Sequence, residues 1–167
     1  QKGNILINNR ELKVNEYLNF QSNFSYTPQK NHIFETTISK NISLETKESK
    51  INYEKIESLI KFLEFENIFS NLKGLNNYLA TSGKNISGGQ AQRIGILRSL
   101  YFDKKILVFD EATNQIDSDS EHIILNKILS ISKNKIVLFV SHNKNLKKYF
   151  NNNIKINNFG ITLEKNG

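Results

Sequence analysis

Ile106-Leu107-Val108-Phe109-Asp110-Glu111 is a short, unbroken apolar run that stops at two carboxylates. An apolar run of this length, with no alternation, reads as a strand buried on both faces. Downstream, Asp117 to Ile131 has helical spacing, with Ser118 and Asp119 at its start. Lys135-Ile136-Val137-Leu138-Phe139-Val140 is a second buried strand and ends in Ser141-His142. Upstream, a helix is expected from Ser87 to about Phe102, with Ile94, Leu97, Leu100 and Tyr101 on one side. Strand, helix and strand at these lengths predict an α/β unit with parallel strands.

Farther out the pattern is weaker. Gly3 to Leu12 reads as two short strands around the Asn8-Asn9 turn, and Asn23 to Thr27 as another strand stopped by Pro28. The stretch from Glu35 to Leu79 reads as helical, with Ile56, Leu59, Ile60 and Leu63 on one face. Asn76 to Asn85 reads as a loop and Asn143 to Phe150 as a short helix. Weak strands around Ile154–Ile156 and Ile161–Leu163 close the chain.

Composition narrows the classes. The chain has 167 residues, enough for one ordinary domain with a core, and 38% of them are apolar. It lacks a run of about 18 apolar residues, the length needed to span a bilayer as a helix. Cys is absent, which excludes disulfides and Cys-based metal sites. The net charge is +7, but the lysines are scattered among Asn and Ile rather than gathered in a patch. Nucleic acid is therefore not an expected partner.

Three features stand at the ends of elements, where α/β proteins place their sites. Ser87-Gly88-Gly89-Gln90 combines glycines that allow close backbone approach with a helix start that offers N–H groups. It suits a phosphate, although a plain N-cap serine followed by flexible glycines reads the same way. Asp110, at a strand end, is placed to hold Mg²⁺ through water, and Glu111 to polarise a water. A pair of solvated acids opening a loop is the other reading. His142 can hydrogen-bond a terminal phosphate or an attacking water, or be a surface loop histidine. His122 reads as a helix-face residue, and His32 has no comparable context.

Taken together, Ser87–Arg93, Ile106–Thr113, Asn114–Asp117 and Val140–His142 resemble the signature, Walker B, D-loop and switch-histidine series of ABC-transporter ATPases, in the right order. Tyr26-Thr27-Pro28-Gln29, followed by Ile33-Phe34, resembles the Q-loop segment of exporter-type members. The resemblance implies a partial P-loop NTPase core with an inserted α-helical subdomain. Residues 1–28 would supply core strands, 29–86 the Q-loop and helical subdomain, and 87–167 the rest of the core.

It implies ATP and Mg²⁺ as ligands. Glu111 would be the catalytic base and His142 a γ-phosphate contact. Asp110 and Gln29 would serve the metal. Ser87, Gly88, Gly89 and Gln90 would contact an ATP held by a second ABC ATPase domain in a head-to-tail dimer, with Asp117 at the seam. A transmembrane domain would be the other partner, placing the module on the cytoplasmic face of a membrane. Two other users of the same cassette are a DNA-repair or chromosome-type ATPase and a non-catalytic remnant. The segment between Gln29 and Ser87 is short, as in transporters, whereas repair proteins place long coiled coils there.

Departures are local. The D-loop reads Asn114-Gln115-Ile116-Asp117 where Ser-Ala-Leu-Asp is usual, Ala91 replaces a common Arg or Lys, and Thr81 stands where exporters often carry Glu. A P-loop needs Gly, four residues, Gly, Lys and Ser or Thr. Gly83-Lys84 is followed by Asn85, and Tyr78 occupies the place of the first glycine, so this stretch carries no P-loop. One is expected to precede Gln1 in a longer chain, and the stretch alone is expected to bind ATP weakly, to hydrolyse none and to expose apolar sheet edges that favour aggregation.

Overall fold

The computed structural model describes residues 3–80, 83–157 and 160–165. Thr81 lies outside them. Three strands form a parallel sheet in the order β3-β4-β5: β3 (Phe24–Thr27), β4 (Ile106–Asp110) and β5 (Ile136–Val140). Register is continuous across it, with Tyr26 beside Val108 and Val108 beside Leu138. The two apolar runs therefore lie side by side, with the carboxylates and His142 at one end of the sheet. The expected parallel α/β unit is present.

Helix α5 (Gly88–Tyr101) lies against β3, and on its other sides meets α2 (Ile38–Ser43) and α3 (Tyr53–Phe62). Ile94, Ile96 and Leu97 are all fully buried. The helix is thus covered all round rather than on the single side its apolar spacing suggests. Sheet residues Leu107 and Phe109 share a core with these and with Ile124 and Ile128 of α6 (Ser118–Ser130).

The segment expected to be helical from Glu35 to Leu79 is broken into α2, a 3₁₀ turn at Glu48–Lys50, α3 and α4 (Glu66–Asn71). Leu44 and Glu64 adopt positive φ and end α2 and α3, which the apolar periodicity does not register. Asn143–Phe150 yields a 3₁₀ helix at Lys144–Tyr149. Two antiparallel strand pairs complete the described residues: β1 (Leu6–Ile7) with β2 (Arg10–Glu11), and β6 (Asn152–Asn157) with β7 (Gly160–Lys165). Between β2 and β3 stands a short helix, α1 (Tyr17–Gln21).

One expectation is corrected. β4 and β5 are covered on one face only. Phe109 is fully buried, whereas Tyr26, Ile136, Leu138 and Val140, on the opposite face, are between 44% and 57% exposed. An uninterrupted apolar run encodes two covered faces, and the described elements supply one cover.

Candidate active site

The backbone turns sharply where β4 ends. Glu111 takes φ 47°, a left-handed conformation costly for a residue with a Cβ. Its N–H donates to the carbonyl of Val140 at 2.9 Å, which ties the turn to the end of β5. His142 follows two residues later. Its Nε2 lies 2.7 Å from Glu111 Oε1. The Gln29 side-chain amide donates to the other carboxylate oxygen of Glu111. Gln29 reaches there because β3 runs parallel to β4 and Pro28 ends the strand beside Asp110. Gln29, the adjacent pair Asp110-Glu111 and His142, from three separate stretches of the sequence, thus converge.

Glu111 is 18% exposed in its side chain and His142 is 92% exposed. The carboxylate sits at the floor of the site and the imidazole at its rim. An adjoining cleft of about 230 Å³ is lined by Glu111, Thr113, Asn114, Ser118, Ser141 and His142. Tyr26 adds a residue absent from the sequence-based candidates: its hydroxyl donates to Asp110 Oδ2 at 2.9 Å. That hydrogen bond to a carboxylate raises the Tyr26 hydroxyl above its ordinary pKa.

The donor set bears on a metal. Among the described residues no three His, Asp or Glu side chains gather into a protein-only cage. Asp110 and Gln29 instead offer hard oxygens from few side chains, which fits an ion such as Mg²⁺ that keeps water and phosphate ligands.

A second cluster sits at the start of α5. Ser87 Oγ accepts from the Gln90 N–H at 3.2 Å, and Gln90 Oε1 accepts from the Ser87 N–H at 2.7 Å, forming a capping box. The Ser87 hydroxyl keeps its proton for another acceptor. Asp117 Oδ1 caps α6 through the Ser120 N–H at 2.9 Å, and Asp117 Oδ2 lies 3.7 Å from Arg93 of α5. The Ser120 N–H, with Arg93 a smaller influence, holds the Asp117 carboxyl below its ordinary pKa. His32 is turned elsewhere, edge-on to Phe34 with ring centroids 4.6 Å apart. His122 pairs through Nδ1 with the Tyr149 hydroxyl at 3.0 Å.

Two further residues escaped the sequence reading. Glu121 is buried, accepting from Thr113 Oγ1 at 2.5 Å and from the Asn143 amide at 2.8 Å. Gln92 is also buried and bonded to the loop after Glu111. A signal existed for Gln92: it shares one helical stripe with Ile96 and Ser99, and a polar residue on a core-facing stripe requires partners.

A parallel sheet with its acidic, amide and imidazole side chains at one end defines a partial P-loop NTPase-type α/β domain. The family model described as ABC transporter matches residues 1–114. An ATP-dependent lipid A-core flippase of Vibrio parahaemolyticus is 35% identical over 143 residues, covering 84% of this chain. A putative export ATP-binding/permease protein of Rickettsia prowazekii is 36% identical over 143 residues, covering 85% of this chain. The solved structure of a bacterial Atm1-family ABC exporter with ATP bound matches with a TM-score of 0.75 and 25% identity over 84% of this chain. This chain belongs to the ABC transporter family. It spans about a quarter of those relatives, 24% in each case.

Proposed function

We propose that this chain is part of the ATP-hydrolysing module of an exporter-type ABC transporter, which couples ATP hydrolysis to substrate movement across a membrane. The observation that carries the reading is the convergence of Gln29, Asp110, Glu111 and His142 at one end of the sheet. Glu111 takes a proton from the attacking water, with its carboxylate aimed by Gln29 and His142. His142, at the exposed rim, donates to the terminal phosphate. Asp110 and Gln29 would hold Mg²⁺, which supplies charge neutralisation at the phosphates.

Ser87, Gly88, Gly89 and Gln90 serve an ATP bound by a partner ABC domain. Their N–H groups and the helix dipole favour an anion there. Asp117 lies at the seam of that head-to-tail pair. Residues 1–28 and 87–167 belong to the nucleotide-binding core, and 29–86 to the Q-loop and a helical subdomain facing a transmembrane domain on the cytoplasmic side. The P-loop that grips the β- and γ-phosphates is not among these residues, so this stretch by itself binds ATP weakly and does not turn it over.

The test uses the full-length protein in lipid. Glu111→Gln is expected to lower kcat by a factor of about 10² or more while ATP is still bound. A mutant that hydrolyses ATP like wild type removes Glu111 as the base.

A further inference from the structure

Gln92 lies one turn into α5 and is only 2% exposed. Its amide nitrogen donates to the main-chain carbonyl of Glu111 at 3.3 Å and to Asn114 Oδ1. Its Oε1 accepts the Gln115 N–H at 2.8 Å. An amide has two N–H bonds and one carbonyl oxygen, so both ends of the side chain are engaged by one loop. That loop also lies against the start of α5: a Cβ placed on Gly89 would stand 2.8 Å from the Gln115 carbonyl oxygen. The peptide that Gln92 holds follows directly on Glu111, whose left-handed backbone must be restrained by its surroundings.

We propose that Gln92 is a positioning residue: it locks the Glu111 turn to the helix that begins at Ser87, so the carboxylate keeps its aim relative to that helix. This rests on the ATPase reading above. In a head-to-tail pair, the start of α5 faces one ATP and Glu111 works on the other. Gln92 is then the link inside one chain between the two sites.

Two substitutions in the full-length protein separate this role from simple packing. Gln92→Ala removes all three bonds. Gln92→Glu keeps the acceptor for Gln115 but removes the donor to the Glu111 carbonyl. With Gln92→Ala, kcat is expected to fall by a factor of about 10 or more, with the KM for ATP within about threefold of wild type. Gln92→Glu should lower kcat at least as far, because its second oxygen would face the Glu111 carbonyl at a buried site. In hydrogen exchange, the Gln115 amide should exchange faster in Gln92→Ala and stay protected in Gln92→Glu. A Gln92→Ala enzyme with wild-type kcat, or one whose KM alone changes, overturns the proposal. So does an unchanged Gln115 exchange rate, a readout that needs no hydrolysis. A wild-type protein that hydrolyses no ATP overturns the ATPase reading instead, and the exchange rates still report whether Gln92 anchors the loop.

Discussion

His142 Nε2 and Glu111 Oε1 are 2.7 Å apart, although 31 positions separate the two residues in the chain. Parallel pairing of β4 with β5 produces this, since Asp110 stands beside Val140 and both side chains follow at the same edge. Residues acting as one unit lose function together. His142→Ala is expected to lower kcat in the full-length protein by a factor of about 10². The double substitution Glu111→Gln with His142→Ala should be little worse than Glu111→Gln alone. Steady-state phosphate release measures both, and additive losses would separate the two residues.

Gly88 and Gly89 should differ on substitution. A Cβ on Gly88 meets the side-chain amide of Gln115, the movable end of a flexible chain. A Cβ on Gly89 meets the Gln115 backbone carbonyl at 2.8 Å. Gly88→Ala should stay within about 1 kcal/mol of wild type, helped by alanine's helix preference. Gly89→Ala should cost about 1–3 kcal/mol, as overpacking does. Urea unfolding of this chain reports the difference.

Asp117 gives a pH signature. Its carboxyl is held below its ordinary pKa by the Ser120 N–H at the start of α6. A lowered folded-state pKa stabilises the fold above the unfolded value, and that contribution is lost as pH falls through the folded value. The Tm gap between wild type and Asp117→Ala should therefore be widest near about pH 7 and shrink below about pH 4. Melting curves across that range test it, and a gap that widened with acid would contradict the cap.

The one-sided sheet makes its own prediction. Phe109 is fully buried and packs against Phe139, with ring centroids 5.8 Å apart. Phe109→Ala should cost this chain about 3–5 kcal/mol. Leu138 lies on the open face and is 44% exposed. Leu138→Ala should cost far less in this chain, and more in the full-length protein if another element covers that face. Denaturant unfolding of both forms makes the comparison.

Much of the site was legible because short-range chemistry writes it. Asp110-Glu111 after an apolar run and Ser87-Gly88-Gly89 before a helix announce themselves by residue type. The capping box at Ser87 and Gln90 needs only a three-residue spacing. Tyr26 carries no such local mark, Gln92 only its place on a core-facing helical stripe, and Glu121 and Asn143 none. Their value lies in partners 84, 19, 8 and 22 positions away. The breaks in the helical stretch were hidden for a related reason, since Leu44 and Glu64 enter left-handed backbone without a glycine to signal it.

The sequence by itself determined the family, the parallel α/β class and the placing of carboxylates and histidine at strand ends. Apolar runs, turn residues and motif spacing act over a few residues and are readable along a line. Only the tertiary structure decided that Gln29 and His142 meet on Glu111, that Gln92 clamps the loop beyond it, and that one sheet face stands open. Those depend on strand order and register, which bring distant residues into hydrogen-bond range, and on how many faces the neighbouring elements cover.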